Sequence, residues 1–495
     1  MSSVGVEEGR RLLEIDQEKS AMCRKKGKQL KWRGERVCRF VRPEHKEYEV
    51  VYVPITMYSD KTDVSNKKSA HPVMIGLANL PAHLVAKAQH RLFTPAGYFP
   101  IVSKNDLKKS KFPTALHSTC QRGVFHACLA VLFGASWQAA RINGILVELN
   151  GRKLLLFPDI LYASCDLPEA AMYTNTRGCR GKCPCAICEL PLEKVISGEL
   201  SVHKGAVTRV HMHEPTKPEE QEQLGRYDSE NAFYKLVRNV HECIAAGDLH
   251  QVHLGVTDAV CKVWYLAVSK ATQERFLSLT GEKVQPYHAW PNRNSSPFKS
   301  EGAKMKAYEV AGLFNAMVTA VVAIADENGE SNNQVMIPVL EMMVAYTRFY
   351  KLVSVRLPTD EHLDKADEAL ATFMAVFVQV AESLKLDDSY PLKFHMLSHY
   401  TTLVRRFGPL STQSTQRGEH EHSVSVKPAS QRTNFSANKY QRDMLAWQSM
   451  RNTLSDHLRD VVARFEPTYT DKDGNEHERS SCATKPGLRP ATSAT

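Results

Sequence analysis

Glu47-Tyr-Glu-Val-Val-Tyr-Val-Pro-Ile-Thr-Met-Tyr-Ser-Asp60 is an alternating apolar run that stops on a carboxylate. Period-two alternation with β-branched and aromatic residues predicts a strand over Tyr48–Met57. A second run, Lys153-Leu-Leu-Leu-Phe-Pro-Asp-Ile-Leu-Tyr-Ala-Ser-Cys-Asp166, ends in the same way. Between them the sequence predicts two more strands, His71–Ala78 and Gly97–Val102. A helical pattern follows over Ser118–Asn143, with Val124, Cys128, Val131, Leu132 and Trp137 near one face. Ile145–Leu149 and Leu154–Phe157 flank Asn150-Gly151, a dipeptide favoured in two-residue hairpin loops. A third acid, Glu419, lies far downstream in Arg417-Gly-Glu-His-Glu-His422. This layout suits an α/β protein whose mixed sheet holds two carboxylates on neighbouring strand ends and takes a third from a late helix. Such a cluster can hold two divalent cations roughly 3.5–4 Å apart and drive in-line phosphoryl transfer on nucleic acid.

Each acid alone has an ordinary reading. Asp60 is a turn initiator, with Asp63 as a neighbour of the same kind. Asp166-Leu-Pro is a helix-start signal, and Asp159 is its rival within the run. Glu421 competes with Glu419. Their combination at strand, strand and helix positions carries the functional reading.

The composition is globular: 495 residues, 43% hydrophobic and 24% charged, enough for two or three domains. A net charge of +10 fits a polyanionic partner. No apolar stretch reaches the roughly 18–20 residues that span a bilayer; the best, Ala311–Ala325, contains Asn315. The first residues lack the apolar region of a signal peptide, so the expected setting is cytosolic or nuclear, nuclear for a protein that works on DNA, with no membrane partner and reduced cysteines.

Along the chain, residues 1–45 form a basic flank. Residues 46–192 hold the first part of the sheet. Residues 193–390 read as mostly helical, with patterns over Asn231–Ala246, Val256–Ser269, Lys304–Ala325, Val335–Val355 and Glu361–Leu384. Residues 391–466 contain a Gly/Ser/Thr-rich loop and a last amphipathic helix, Tyr440–Phe465, before a polar tail at 467–495 that is expected to be disordered.

Four cysteines cluster in Cys179-Arg-Gly-Lys-Cys-Pro-Cys-Ala-Ile-Cys188. Cys185 and Cys188 form a C-x-x-C half-site for tetrahedral zinc, with Cys179 and Cys183 as alternatives. His395 and His399, four apart on one helix face, are the best complementary pair, and His250 and His253 are the next. The ordinary alternatives are unpaired thiols and packed histidines. Lys393, Arg405, Arg406, Arg417, Lys427 and Arg432 crowd the third acid and are candidate phosphate contacts.

Tyr58-Ser-Asp-Lys-Thr62, followed by His71-Pro-Val-Met-Ile-Gly-Leu-Ala-Asn-Leu-Pro81, resembles the opening of the catalytic core of Plavaka-type transposases, which are allied to the Kyakuja–Dileera–Zisupton and CACTA–Mirage–Chapaev groups. The resemblance continues at Ala163-Ser-Cys-Asp-Leu-Pro-Glu169 and at Asp248-Leu-His-Gln-Val-His-Leu-Gly255, similar to the family's Asp- and His-bearing helix start. It returns at Lys393-Phe-His-Met-Leu-Ser-His-Tyr400, Gly418-Glu-His-Glu-His422 and Arg432-Thr-Asn434. It implies an RNase H-like fold with a large helical insertion, and DDE-type, metal-dependent DNA strand cleavage and transfer. It further implies Asp60, Asp166 and Glu419 as catalytic Mg2+ (or Mn2+) ligands, and Cys185, Cys188, His395 and His399 as structural Zn2+ ligands. Double-stranded DNA would be the partner, with a dimer pairing its ends. Family members often carry an N-terminal DNA-binding finger, which this sequence is expected to lack. A transposase-derived DNA-binding scaffold without catalysis is the main alternative. A zinc-containing interaction module with an accidental acidic trio is another, and a thiol hydrolase using Cys165 or Cys120 is more distant.

Overall fold

A computed structural model describes residues 47–80, 93–210, 218–283, 336–384, 391–433 and 439–450, apart from a few positions within these spans, together with scattered residues in 307–314 and the strands Thr468–Thr470 and Glu476–Glu478. The basic flank at 1–45 and most of the Lys304–Ala325 pattern lie outside the described residues.

A mixed five-stranded sheet organises the site. Its strands are β1 (Glu49–Ser59), β4 (Pro72–Leu77), β5 (Phe93–Tyr98), β6 (Ile145–Leu149) and β7 (Arg152–Ser164), in the order β5-β4-β1-β7-β6. A side ribbon of β2 (Thr62–Ser65) and β3 (Lys68–Ala70), which the sequence reading did not anticipate, lies between β1 and β4 in the chain. β1 runs antiparallel to β4 and parallel to β7, paired from Glu49 with Leu154 to Tyr58 with Ser164, with a one-residue register shift between Ile55 and Thr56. Two neighbouring strands therefore end on the same edge, each just before an acid.

β1 and β7 each contain a proline, and the pairing accommodates both. Pro54 precedes Ile55, the first β1 residue paired with β4. Pro158 lies past Leu156, the last β7 residue paired with β6. At Pro158 the β6 side of the strand is open, so the missing N–H need not cost a ladder bond there, whereas Pro54 sits at the end of the β4 pairing and only accepts, from the Ala78 N–H at 2.9 Å. Beyond Leu156 that open edge is taken up near its end by residues 243–245: the Ala163 N–H donates to Cys243 O at 2.7 Å and the Ala245 N–H to Ala163 O at 3.0 Å. The hairpin at Asn150-Gly151 forms as the dipeptide predicts, with Leu149 opposite Arg152 and Gly151 at φ +75°.

Three local expectations are corrected. The third strand is Phe93–Tyr98 rather than Gly97–Val102. The pattern at Ser118–Asn143 is two helices, α1 (His117–Leu132) and α2 (Ala135–Asn143), bent by 53°. The buried face of α1 is Arg122, Phe125, His126 and Leu129, whereas Val131 is 83% exposed. The pattern at Asn231–Ala246 is only a short helix, Phe233–Leu236, and a 3-10 turn, Val240–Glu242. Its polar side chains bond elsewhere instead: Asn231 Nδ2 donates to Tyr173 O and Asn239 Nδ2 to Arg209 O.

The long helices α3 (Met336–Val353) and α4 (Asp360–Ser383) pack together. One apolar core continues from Met57 and Ile160 in the sheet, through Trp264, to Tyr346, Phe373 and Leu403. The Gly/Ser/Thr-rich stretch expected as a loop is largely helical, with turns at Leu410–Gln413 and Gln416–Glu421 continuing as a π-helix at His422–Val426. Helix is described at residues 440–450; the rest of the Tyr440–Phe465 pattern lies outside the described residues. The segment expected as a disordered tail contains the small ribbon of Thr468–Thr470 and Glu476–Glu478. Among the described residues no single helix is long and apolar enough to cross a membrane, although α1 and α2 together pass on length and composition.

Candidate active site and metal centre

Asp60 follows the last residue of β1, and Asp166 follows β7 by two residues. Asp166 is the N-cap of the helix Leu167–Tyr173: one carboxylate oxygen accepts the Glu169 N–H at 2.8 Å. The helix-start reading of Asp-Leu-Pro is thus realised, and it fixes this acid at the sheet edge. The helix is clamped from behind by α1, where Arg122 donates to Ala171 O and Thr176 O and His126 lies 2.8 Å from Asn175 Oδ1.

Glu419 comes from the helix Gln416–Glu421. Its approach is set by hydrogen bonds to the turn before it. Tyr162 Oη donates to Thr412 O at 2.6 Å, Ser164 Oγ to Gln413 O at 2.8 Å, and Ser414 Oγ to Asp248 Oδ1 at 2.6 Å. Gly418 completes the docking: a Cβ there would lie 2.1 Å from Tyr58 Cδ1, so only glycine lets this helix rest on the end of β1.

The three acids sense one another electrostatically. Burial, then the charges of Asp166, Glu169 and Glu419, push the Asp60 carboxyl up to about 7. Burial raises Asp166 as well, against the Glu169 N–H that stabilises its anion. His250, from a π-helix at Asp248–Thr257, meets Glu419 Oε1 at 2.8 Å, and this hydrogen bond raises the imidazole. Of the rivals, Asp63 accepts from Ser69 Oγ and Asp159 pairs with Arg141, while Glu419 is the acid that His250 contacts.

Sequence reasoning passed over Glu169. It is buried beside Asp166 and bonded to Ser59 Oγ, and it lies 2.9 Å from His71 Nε2; Ser59 Oγ is also 2.7 Å from Tyr173 Oη. This network ties the residue before Asp60 to the helix that Asp166 caps. Glu169 stands inside a quoted motif, but nothing local announces partners at 59 and 71.

A second centre brings Cys185 and Cys188 together with His395 and His399. Cys185 Sγ is 3.4 Å from His399 Nε2, Cys188 Sγ is 3.2 Å from His395 Nε2, and the two Nε2 atoms are 3.2 Å apart. All four ligand atoms fall within 4.8 Å of one another, a compactness that no other set of three or more such residues reaches among the described residues, the acids at the sheet edge included. With bonds of about 2.3 Å to sulfur and about 2.0–2.1 Å to nitrogen, a zinc tetrahedron has edges of roughly 3.3–3.8 Å. The spacings fit a Cys2His2 metal site. Burial opposes ionisation of Cys185, but the Cys188 hydrogen bond and the neighbouring histidines overcome it and hold this thiol well below its ordinary range. The same hydrogen bond pushes Cys188 up.

The alternative ligands are accounted for elsewhere. Cys183 Sγ points to Glu189 O and Gln223 O, Cys179 is exposed, and His253 lies against Tyr350 Oη. A residue not foreseen joins instead: His203 Nδ1 lies 2.9 Å from His395 Nδ1, and His203 Nε2 lies 2.7 Å from Ser197 O. A carbonyl accepts only, so His203 carries its proton on Nε2 and accepts at Nδ1. His395 then donates from Nδ1, which leaves its Nε2 lone pair turned toward the cysteines. Arg209, fully buried, donates to Cys183 O and Cys185 O and fixes the cysteine loop.

The candidate phosphate contacts divide. Arg405 is paired with Asp360 and Asp364, Arg406 with Glu242, Arg417 donates to Ser411 O, and Lys393 donates to Leu254 O. Lys427 and Arg432 are exposed.

A mixed sheet with flanking helices and a Cys/His cluster that could hold a metal define an α/β protein. Residues 27–264, which include Asp60, Asp166, Cys185 and Cys188, match the Plavaka transposase family model. Transposases act on DNA. No curated protein matches the chain.

Proposed function

We propose that the chain is the catalytic core of a DDE-type DNA transposase that performs metal-dependent strand cleavage and transfer. The observation that carries this reading is the convergence of Asp60, Asp166 and Glu419, from a strand end, a helix cap and a late helix, with raised carboxyl pKa values at the first two. Excess negative charge held in a partly buried site is what a divalent cation relieves. The donor set is all oxygen, which suits Mg2+ or Mn2+. When bound there, such ions supply charge neutralisation for in-line displacement at phosphorus. The strand order β5-β4-β1-β7, with β1 and β7 parallel, supports an RNase H-like core interrupted by a helical region at about 193–390.

In this reading Asp60, Asp166 and Glu419 hold the cations, and His250 orients Glu419. Glu169 fixes the end of β1 against the capped helix, and zinc at Cys185, Cys188, His395 and His399 is structural. Lys427 and Arg432 are the best placed of the late basic residues to meet the DNA backbone. Pairing two DNA ends would require a dimer, and the work would be done in the nucleus.

The test is cleavage of labelled duplex carrying the element's terminal repeats, with Mg2+ or Mn2+, by wild type and Asp166→Asn. Asparagine also caps helices well, so the variant should keep its fold and lose cleavage by at least about a hundredfold. Unchanged cleavage would remove Asp166 from the chemistry. Binding without cleavage by wild type would favour the scaffold alternative.

A further inference from the structure

We infer that Ser103–Phe112 is a second DNA-backbone contact surface, serving the acidic edge of the sheet; this rests on the transposase reading and adds to it where the duplex lies. The placement follows from topology. β5 is antiparallel to β4, and β4 is antiparallel to β1, so β5 and β1 end on one edge. Tyr98 pairs with Pro72, the neighbour of Val73, which pairs with Ser59. The chain therefore leaves the sheet two strands from Asp60, about 10 Å at ordinary strand spacing, and the Phe99 N–H still donates to His71 O at 2.8 Å.

Charge is the second observation. The helix Lys104–Lys109 is seated by buried Leu107, and Lys104, Lys108, Lys109 and Lys111 are all exposed. Asp106 is the sole acidic residue between Asp63 and Glu148, in a chain that has 54 acidic residues among 495. Its carboxylate is engaged in the capping box, accepting from the Ser103 N–H at 2.9 Å and Ser103 Oγ at 2.7 Å. This stretch of chain thus brings few anions of its own to repel a phosphate backbone, and its lysines act as mobile point charges.

Backbone shape is the third. Lys111 adopts φ +60°, a left-handed conformation uncommon for residues other than glycine and asparagine. The Phe112 N–H then donates to Leu107 O at 2.9 Å, which closes the helix end and leaves the Phe112 ring 57% exposed. A held turn that presents an aromatic ring among lysines fits a nucleic-acid surface, where the ring can stack on a base opened beside the cleavage point.

The test compares the full-length protein with Lys104→Gln/Lys108→Gln/Lys109→Gln/Lys111→Gln and, separately, Phe112→Ala. Binding to labelled duplex is measured by fluorescence anisotropy over a salt series, and thermal unfolding checks the fold. Each phosphate contact contributes about 0.9 to the slope of log affinity against log salt. The lysine variant should lose up to about 3.6 of that slope and bind at least about tenfold more weakly near 0.1 M salt, with an unchanged Tm. Phe112→Ala should weaken binding to duplex with an unpaired tract more than to intact duplex. Wild-type binding with an unchanged slope in the lysine variant overturns the inference and leaves the transposase reading intact. No DNA binding by wild type overturns both.

Discussion

Substituting Gly418 by alanine tests whether the third acid is positioned by contact with β1. The added Cβ would stand 2.1 Å from Tyr58 Cδ1 and 2.2 Å from Cγ. Carbon atoms in ordinary contact are about 3.5–4.0 Å apart, so the helix or the ring must retreat by roughly 1.5 Å. Tyr58 is 1% exposed and packed with Met74, Val426 and Ala429, which leaves the ring little room. Overpacking of this kind costs about 1–3 kcal/mol, so Tm should fall by a few degrees while the fold survives. Most of the displacement would pass to Glu419, the next residue, and misplacing a catalytic group by about 1 Å costs on the order of a hundredfold in rate. The assay is Mg2+-dependent cleavage of labelled duplex, with Tm measured in parallel. Tyr58→Ala in the same chain removes Cγ, Cδ1 and Cε1, the atoms the new Cβ would meet, and should recover part of the lost rate. Gly418→Ala with wild-type rate and Tm would refute the positioning argument. A lost rate that the second substitution does not improve would refute the route through Tyr58.

Two further outcomes follow from the site. Asp60 has a folded pKa near 7 against an ordinary value of 3.8, so without metal the folded state keeps this proton longer than the unfolded chain. Stability is then lost as pH rises from about 4 and the full penalty is present above about 7; Asp60→Asn should raise the metal-free Tm by an amount that vanishes near pH 4 and reaches a few kcal/mol equivalent above pH 7. At the other centre, His203→Ala should weaken zinc binding about 10- to 100-fold in chelator competition, and His203→Gln, which keeps an acceptor for His395 Nδ1, should recover part of it; equal affinity in all three proteins would refute the tautomer argument.

The parts of the molecule legible in its sequence are those set by near neighbours. β1, β4 and the Asn150-Gly151 hairpin announce themselves through alternation and turn chemistry, and Cys185 with Cys188 through spacing. The break between α1 and α2 was not read, although Gly134 stands at it. The inward face of α1 was not legible, because Arg122 and His126 point into the core and are satisfied by acceptors some 50 positions later. Asn231–Ala246 carried apolar residues at helical spacing, yet its asparagines bond to distant carbonyls. Glu169, His203 and Gly418 owe their importance to residues 59, 395 and 58, and no window of sequence contains such pairs. His250 was read as a spare metal ligand because a histidine's spacing does not say which carboxylate it will meet.

The Cys/His centre also bears on how much the chain can change in length. The polypeptide leaves this point after Cys188 and comes back to it at His395, so both ends of the excursion are pinned together. Once ends are fixed, the entropic cost of what lies between grows only with the logarithm of its length, about 0.6 kcal/mol for each doubling. The helices in between can therefore grow, shrink or take in foreign segments at an exposed turn such as Leu357, which is 81% exposed. Because the return path is reset at the clasp, such changes need not move Glu419. The size of the excursion is thus open to drift, while the distance from strand to late helix is not.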